Sequence, residues 1–369
     1  MSEKKKNLTV IIAGGGTGGH LFPGIAIAEE LLKVNGKNMV MFVGTRHGIE
    51  NRVLPEEGFT FLPIVAYGLF GKSVMAKIKG LITMLIGTLQ SMSIIISKKP
   101  DIVVGVGGYA SAPMLLAATL LRKKFLIQEQ NSIPGFVNKI FGKYAQTVFI
   151  AFEVTKKYYD NIKGKVVLCG SPIREAKAGK EVESEFKKTN KFKLLVFGGS
   201  QGAHAINKLV TEMLPLLEEV KEKIFILHQT GKNDYEETKK CYEQYRIESE
   251  VKPFINGLHS FYAHADLIVS RSGASTIAEV TNYGKASIFI PFPFAVQNHQ
   301  EFNAREVEKA GGAYVFTEKE ANEKELAEIV LDLMNNPEKL KTMCANAAKL
   351  GRKDAAKTIV NHCYEAVHR

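Results

Sequence analysis

Asp266-Leu267-Ile268-Val269-Ser270-Arg271-Ser272-Gly273-Ala274-Ser275-Thr276-Ile277-Ala278-Glu279 joins an apolar run to a small-residue turn and then to the start of a helix. A buried parallel strand that ends this way aims several free backbone N–H groups at one point, with the positive end of the helix dipole behind them. That is a seat for an anion. Glu279 falls about one and a half turns into the helix, close enough to its mouth to accept hydrogen bonds from a diol. The stretch suggests a ligand with phosphate at one end and ribose at the other, although a well-capped core helix of any α/β domain would look the same.

Working outward, the same sign recurs twice. Leu8–Ala13 reads as a buried strand, Gly14–Gly19 as a glycine turn and Phe22–Leu32 as a helix; Lys193–Phe197 is followed by Gly198-Gly199-Ser200-Gln201-Gly202-Ala203 and a helix near residues 203–219. Further apolar runs at Met39–Val43, Asp101–Gly105, Phe125–Gln128, Thr147–Ile150, Ile224–His228 and Ser287–Ile290 keep the alternation going. Strands alternating with helices imply parallel sheets wrapped on both faces. The expected fold is α/β, with two doubly wound Rossmann-like domains facing each other across a cleft. Val166–Pro172 runs into a turn ahead of the charged stretch Lys177–Asn190, which puts the boundary near Gly170. The expected domains are 1–170, joined by a returning C-terminal helix over 352–369, and 171–351. The carboxyl ends of both sheets, where such folds bind ligands, would meet at the cleft.

The chain has 369 residues, too many for one core of ordinary size. Its four cysteines lack CxxC spacing, which argues against a disulfide framework or a zinc site and for a reducing compartment. The apolar run Leu8–Ala13 is too short for a secretory signal, so a cytosolic location is expected. The net charge of +11 lies wholly in the first half: residues 1–170 hold 21 Lys and Arg against 10 Asp and Glu, and Gly58–Pro100 has no acid at all. Such a surface attracts anionic lipid or nucleic acid. Gly80–Ser97 carries no charge, but Ile78, Ile82, Leu85, Leu89, Met92 and Ile96 recur at helical spacing with polar residues on the other faces, as in an amphipathic helix rather than a membrane span. Leu69, Phe70, Val74 and Met75, interleaved with Lys72, Lys77 and Lys79, add apolar anchors among cations, the composition of a segment that lies on an anionic membrane.

Gly14–Gly19 satisfies the GxGxxG pattern, but the second strand ends in Gly44-Thr45-Arg46, with no acid for a ribose. NAD is thereby disfavoured and NADP left open as the rival reading, an oxidoreductase. His20 stands where a Walker loop needs Lys. Gly198–Gly202 matches GxSxG formally, without an acid placed to complete a hydrolase triad. His20, at the mouth of its helix, suits a neutral base near pH 7. With no Asp-x-Asp pair, a metal-chelating sugar-nucleotide site is not expected, and leaving-group charge would fall to helix N-termini and an arginine. A second rival is a non-catalytic peripheral membrane module that binds a sugar nucleotide.

Gly14–His20 with Phe22-Pro23-Gly24, Gln128-Glu129-Gln130-Asn131, Gly198–Ala203, Arg271–Glu279 and Asn298-His299-Gln300 together resemble the MurG family of bacterial N-acetylglucosaminyltransferases, of the glycosyltransferase B fold, over nearly the whole chain. The resemblance implies inverting transfer of N-acetylglucosamine from UDP-N-acetylglucosamine to the C4 hydroxyl of undecaprenyl-pyrophosphoryl-N-acetylmuramyl-pentapeptide. It also implies a place in cell-wall synthesis, cell shape and division, a peripheral position on the cytoplasmic side of the membrane, possible protein partners from cell-wall synthesis, no nucleic acid, no cofactor and no metal. By motif, Thr17, Gly18, Gly19 and Asn131 border the sugar nucleotide from the first domain, with His20 the candidate base and Asn131 beside it. Arg174 and Ser200 meet the diphosphate, and Ile255 holds the uracil through its backbone. Ala274, Ser275, Thr276, Ile277, Ala278 and Glu279 cradle phosphate and ribose, and Gln300 binds the sugar.

Overall fold

The computed structural model describes residues 6–67, 74–174 and 183–368, with backbone alone for 74–79 and 368. The chain divides into two compact units, Met1–Glu175 with Arg352–Arg369, and Ala176–Gly351.

In the first unit the chain runs β1 (Thr9–Gly14), α1 (Gly18–Val34), β2 (Met39–Thr45), α2 (Glu50–Glu56), β3 (Thr60–Ile64), α3 (Val74–Lys98), β4 (Ile102–Gly107), α4 (Ala112–Leu120), β5 (Phe125–Glu129), α5 (Phe136–Phe141), β6 (Thr147–Ile150) and β7 (Lys165–Leu168). These strands form one parallel sheet of order β3-β2-β1-β4-β5-β6-β7. The pleat sends alternate residues of β1 into different cores. Val10 and Ile12 pack with Ile25, Val104 and, from the chain's last helix, Ile359, Val360 and Cys363. Ile11 and Ala13 pack with Val103, Leu115, Ile127 and Val148. A sheet buried on both faces explains why its central strands read as continuous apolar runs rather than alternating ones.

The apolar stripe of α3 is exposed rather than packed in a core: Ile82 is 54% exposed, Leu85 64%, Leu89 59% and Ile96 61%. Leu81 and Ile86, beside the stripe, are exposed too. The buried side is instead small and polar: Gly87, Thr88 and Ser91, with Ile95. Thr88 Oγ1 donates to Met84 O at 2.7 Å and Ser91 Oγ to Gly87 O at 2.7 Å, so the helix's own carbonyls satisfy the buried hydroxyls. Close approach is the reason for this choice, since a Cβ on Gly87 would stand 2.1 Å from Val65 O and 3.2 Å from Pro113 Cβ. By length and composition Gly80–Lys98 could also cross a membrane. Leu69, Phe70 and Lys72, and the side chains of Val74, Met75, Lys77, Ile78 and Lys79, lie outside the described residues.

The second unit repeats the plan with α6 (Glu185–Lys188), β8 (Phe192–Phe197), α7 (His204–Met213), β9 (Ile224–Gln229), α8 (Tyr235–Tyr245), β10 (Ser249–Lys252), α9 (His259–Tyr262), β11 (Leu267–Ser270), α10 (Ala274–Asn282), β12 (Ala286–Phe289), α11 (His299–Lys309), β13 (Ala313–Val315), α12 (Glu323–Asn335) and α13 (Pro337–Leu350). Its parallel sheet has the order β10-β9-β8-β11-β12-β13. The last helix, α14 (Ala355–His368), lies in the core of the first unit.

Candidate active-site residues

In a doubly wound sheet the strand order reverses at one point, and loops leaving the carboxyl ends on either side of it diverge to open a crevice. In the first unit that point lies between β1 and β4, so the Gly14–Thr17 turn and the turn after Gly107 define it. A buried carboxylate holds the glycine turn: Glu50, fully buried, accepts from Gly16 N at 2.8 Å, Thr45 N at 2.9 Å and Thr45 Oγ1 at 3.1 Å. A Cβ on Gly48, Gly15 or Gly44 would stand 2.0, 2.6 or 3.0 Å from Glu50's side chain, so three glycines make room for one acid. Sequence reasoning missed Glu50 because it looked for an acid at the end of β2. The acid lies slightly later, opening α2.

His20 sits in the first turn of α1, with Nδ1 3.2 Å from Val106 O. A carbonyl only accepts, so the neutral ring carries its hydrogen on Nδ1 and its lone pair on Nε2. Gln130 Nε2 donates to the same carbonyl at 2.6 Å. Thr17 is the N-cap of this helix, and Gly18 and Gly19 begin it, where amides have no intrahelical acceptor. Asn131 follows β5 and is held by Glu129, whose Oε1 accepts from Asn131 N at 2.9 Å and whose Oε2 accepts from Asn138 Nδ2 at 2.8 Å and Gly135 N at 3.0 Å. Burial pushes the Glu129 carboxyl above its ordinary value, against the pull of these bonds. Beside it, both side-chain polar atoms of Gln128, Gln130 Oε1, Asn138 Oδ1 and Tyr159 OH are buried without a hydrogen-bond partner among the described residues. Arg174 is placed differently from expectation: Nε and Nη2 grip Glu29, at 3.1 and 2.7 Å, while Nη1 and Nη2 grip Glu57, each at 2.8 Å. Two carboxylates already match its charge.

In the second unit the reversal lies between β8 and β11, and the Gly198–Ala203 and Arg271–Gly273 turns leave those strands. Gly202, at φ +77°, admits no side chain, since a Cβ would lie 1.9 Å from Thr230 O. Ser200 is exposed on that turn. Gln229, ending β9 and buried, ties the turn to Ile255: its Nε2 donates to Gly199 O at 2.8 Å, and its Oε1 accepts from Ile255 N at 2.8 Å. Sequence reasoning passed over Gln229, although a polar residue closing the apolar run Ile224–Leu227 was a usable signal.

The stretch quoted at the outset forms β11 and α10 as its pattern implied, with Gly273 the N-cap and Ala274–Glu279 the first turn and a half. Ser275 Oγ is buried with no hydrogen-bond partner among the described residues. Glu279, partly buried, accepts from Tyr262 OH at 2.8 Å, and burial raises its carboxyl to about 7 although the tyrosine bond works the other way. Gln300 is drawn to the same turn: its backbone carbonyl accepts from Ser272 Oγ at 2.9 Å and its Oε1 from Phe292 N at 3.0 Å. Arg271 is engaged by Glu318 and by the carbonyls of Ile290 and Pro291 at 3.0 and 3.1 Å. Arg174 and Arg271 are thus each paired with carboxylates. Among the described residues no three His, Cys, Asp or Glu side chains are grouped to hold a metal ion.

The two Rossmann-like units are those of a glycosyltransferase by family match: residues 10–150 match the N-terminal domain of glycosyltransferase family 28 and residues 193–359 its C-terminal domain. The chain is 46% identical over 358 residues (97% of it, 93% of the relative) to the UDP-N-acetylglucosamine–N-acetylmuramyl-(pentapeptide) pyrophosphoryl-undecaprenol N-acetylglucosamine transferase of Myxococcus xanthus. It is 47% identical over 360 residues (96% and 97%) to that of Geobacter metallireducens. The crystal structure of Acinetobacter baumannii MurG superposes with a TM-score of 0.79 at 31% identity, covering 97% of this chain and 99% of the other. The chain belongs to this transferase family, the MurG family. No oxidoreductase reading gains support from these likenesses.

Proposed function

We propose that the protein transfers N-acetylglucosamine from UDP-N-acetylglucosamine to the C4 hydroxyl of undecaprenyl-pyrophosphoryl-N-acetylmuramyl-pentapeptide, with inversion, in peptidoglycan synthesis. The relatives that span nearly the full chain carry this activity in their names. The observation that carries the mechanism is the α10 N-terminus, where unbonded amides, the Ser275 hydroxyl and the Glu279 carboxylate lie within two helical turns of one another.

The second unit takes the donor. Its diphosphate sits at the start of α10 and at Ser200, where the helix dipole and turn amides stabilise the charge that grows on UDP as it leaves. Glu279 accepts from the ribose hydroxyls. The Ile255 carbonyl accepts the uracil N3–H, its amide being bonded to Gln229. Gln300 meets the sugar. In the first unit, the acceptor C4 oxygen attacks the anomeric carbon while the bond from that carbon to the UDP oxygen breaks, its electron pair passing to the β-phosphate. The C4 proton goes to His20 Nε2, the nitrogen left basic by the Val106 carbonyl. Thr17, Gly18, Gly19 and Asn131 flank this step, Asn131 fixed by Glu129. Arg174 reaches the diphosphate only by giving up a carboxylate partner, so its contribution is to hold Glu29 and Glu57 together.

The exposed α3 face supports a seat on a lipid surface, where the acceptor would be anchored. Leu81, Ile82, Leu85, Ile86, Leu89 and Ile96 point outward, on a unit rich in Lys and Arg. Apolar residues amid cations seat a protein on anionic lipid without crossing it. A donor-binding module without catalysis would leave product formation at zero with purified protein, donor and lipid-linked acceptor. Product under those conditions establishes the transferase, and its absence refutes it.

A further inference from the structure

Glu279 does not stand alone. Tyr262, the last residue of α9, is 1% exposed, and its hydroxyl donates to Glu279 Oε2 at 2.8 Å. Ring packing fixes the direction of that hydroxyl, with Phe197 5.9 Å away on one side and Tyr283 5.5 Å away on another. Phe197 ends β8 and leads directly into the Gly198–Gly202 turn.

We propose that Tyr262 is the positioning residue of the ribose-binding carboxylate: by holding Oε2 it fixes Glu279 so that Oε1 is the oxygen offered to the nucleotide. This rests on the ribose reading of Glu279. Oε1 has no hydrogen-bond partner among the described residues, whereas Oε2 is taken. A single oxygen suffices for a diol, because one carboxylate oxygen has two lone pairs and accepts from adjacent hydroxyls. The tyrosine also favours the ionised form of the carboxylate. Burial raises Glu279 to about 7, and the Tyr262 bond counters that rise. Burial, then the neighbouring Glu279 charge, holds the phenol well above 10, so it stays a donor throughout the neutral range.

The ionisable groups around Glu279 are few. Tyr262 faces it from α9 and Tyr283 from just beyond its own helix. The other helices packed on α10 use theirs elsewhere: Arg305 of α11 pairs with Glu301, Glu308 and Glu320, and Cys344 Sγ of α13 lies 3.4 Å from Ala286 N. A protonated Glu279 Oε1 cannot serve two ribose donors, so donor affinity should fall as pH drops through the neutral range. It should lose about tenfold between pH 8 and pH 6 if the free site titrates near 7.

The test is calorimetric titration with UDP-N-acetylglucosamine from pH 5.5 to 9, chosen because its doubly esterified diphosphate does not itself titrate there. Tyr262→Phe keeps the ring and removes only the hydroxyl. It should bind the donor about five- to tenfold more weakly at pH 7, with the midpoint of the pH dependence moved upward and most of the deficit recovered at pH 9. Glu279→Gln should bind weakly at every pH, with no midpoint. If Tyr262→Phe matches the parent at every pH, the positioning role is overturned while the ribose reading survives; a loss by the same factor at all pH values supports the positioning and overturns the part of the proposal that concerns ionisation. If Glu279→Gln binds as the parent does, both fall.

Discussion

Replacing Leu85 and Leu89 with Ser should detach the protein from lipid without unfolding it. Burying a whole Leu is worth about 1.5–3 kcal/mol. These two side chains are 64% and 59% exposed, so insertion of what remains outside contributes about 1–2 kcal/mol each. Their joint loss removes about 2–4 kcal/mol, or roughly thirtyfold or more in partition coefficient. Neither is packed in the core, so thermal stability should change by no more than about 0.5 kcal/mol. Cosedimentation with vesicles containing phosphatidylglycerol, beside a thermal melt, reads both quantities. Exchanging Lys72, Lys77 and Lys79 for Glu should weaken binding to those vesicles and leave binding to zwitterionic ones nearly unaltered, since each cation contributes about 1 kcal/mol only against an anionic surface. Undiminished sedimentation of the Leu85/Leu89 variant would refute the lipid-facing assignment, and a melt lowered by several degrees would show that this face is packed after all.

Three further outcomes follow from the geometry. His20→Ala should reduce turnover by about 100-fold or more while leaving UDP-N-acetylglucosamine affinity intact by calorimetry; unchanged kcat would remove the base assignment. Glu50→Gln presents an amide where Gly16 N and Thr45 N both need an acceptor, so it should cost about 1–3 kcal/mol in denaturant unfolding and lower kcat with donor Kd preserved; an unaffected kcat would separate this acid from the His20 turn. His228, wholly buried between Tyr242 OH at 3.1 Å and Asn207 Oδ1 at 3.0 Å, is pushed down from 6.5 to about 3 by burial. The unfolded chain therefore binds a proton that the folded chain refuses between those values, so stability is lost as pH is lowered from above 6.5 toward 3. From pH 7.5 to 5.0 this amounts to about 2 kcal/mol, and unfolding curves of His228→Gln should lack that part of the slope.

Much of this was legible in the sequence because central parallel strands advertise themselves. Val10–Ala13, Val103–Val104 and Leu267–Val269 are buried on both faces, and each leads into a turn of small residues at the carboxyl end of its sheet. The edge strands gave no such sign: Thr60–Ile64 contains Pro63, Ser249–Lys252 is polar and half-buried, and Ala313–Val315 is three residues long. Site residues that grip the backbone were hidden for another reason. Glu50 and Gln229 hold turns distant in sequence, at Gly16 and Gly199, so those contacts are not written in a local pattern even where the polar residue itself stands out. The ion pairs of Arg174 were equally hidden, because a lone arginine after a strand does not announce that Glu29 and Glu57 will pair with it. The α3 stripe was legible from its spacing, whereas the burial of Gly87, Thr88 and Ser91 was not, since it depends on the close approach of Val65 O and Pro113.

The most direct measurement is a single-turnover assay with purified protein, UDP-[14C]N-acetylglucosamine and undecaprenyl-pyrophosphoryl-N-acetylmuramyl-pentapeptide. One radiolabelled sugar should appear in the lipid fraction, β-linked, for each UDP released, and Glu279→Gln should suppress the reaction by weakening donor binding. Release of UDP with no label in the lipid, or equal transfer by the Glu279→Gln variant at donor concentrations far below saturation, would contradict the account.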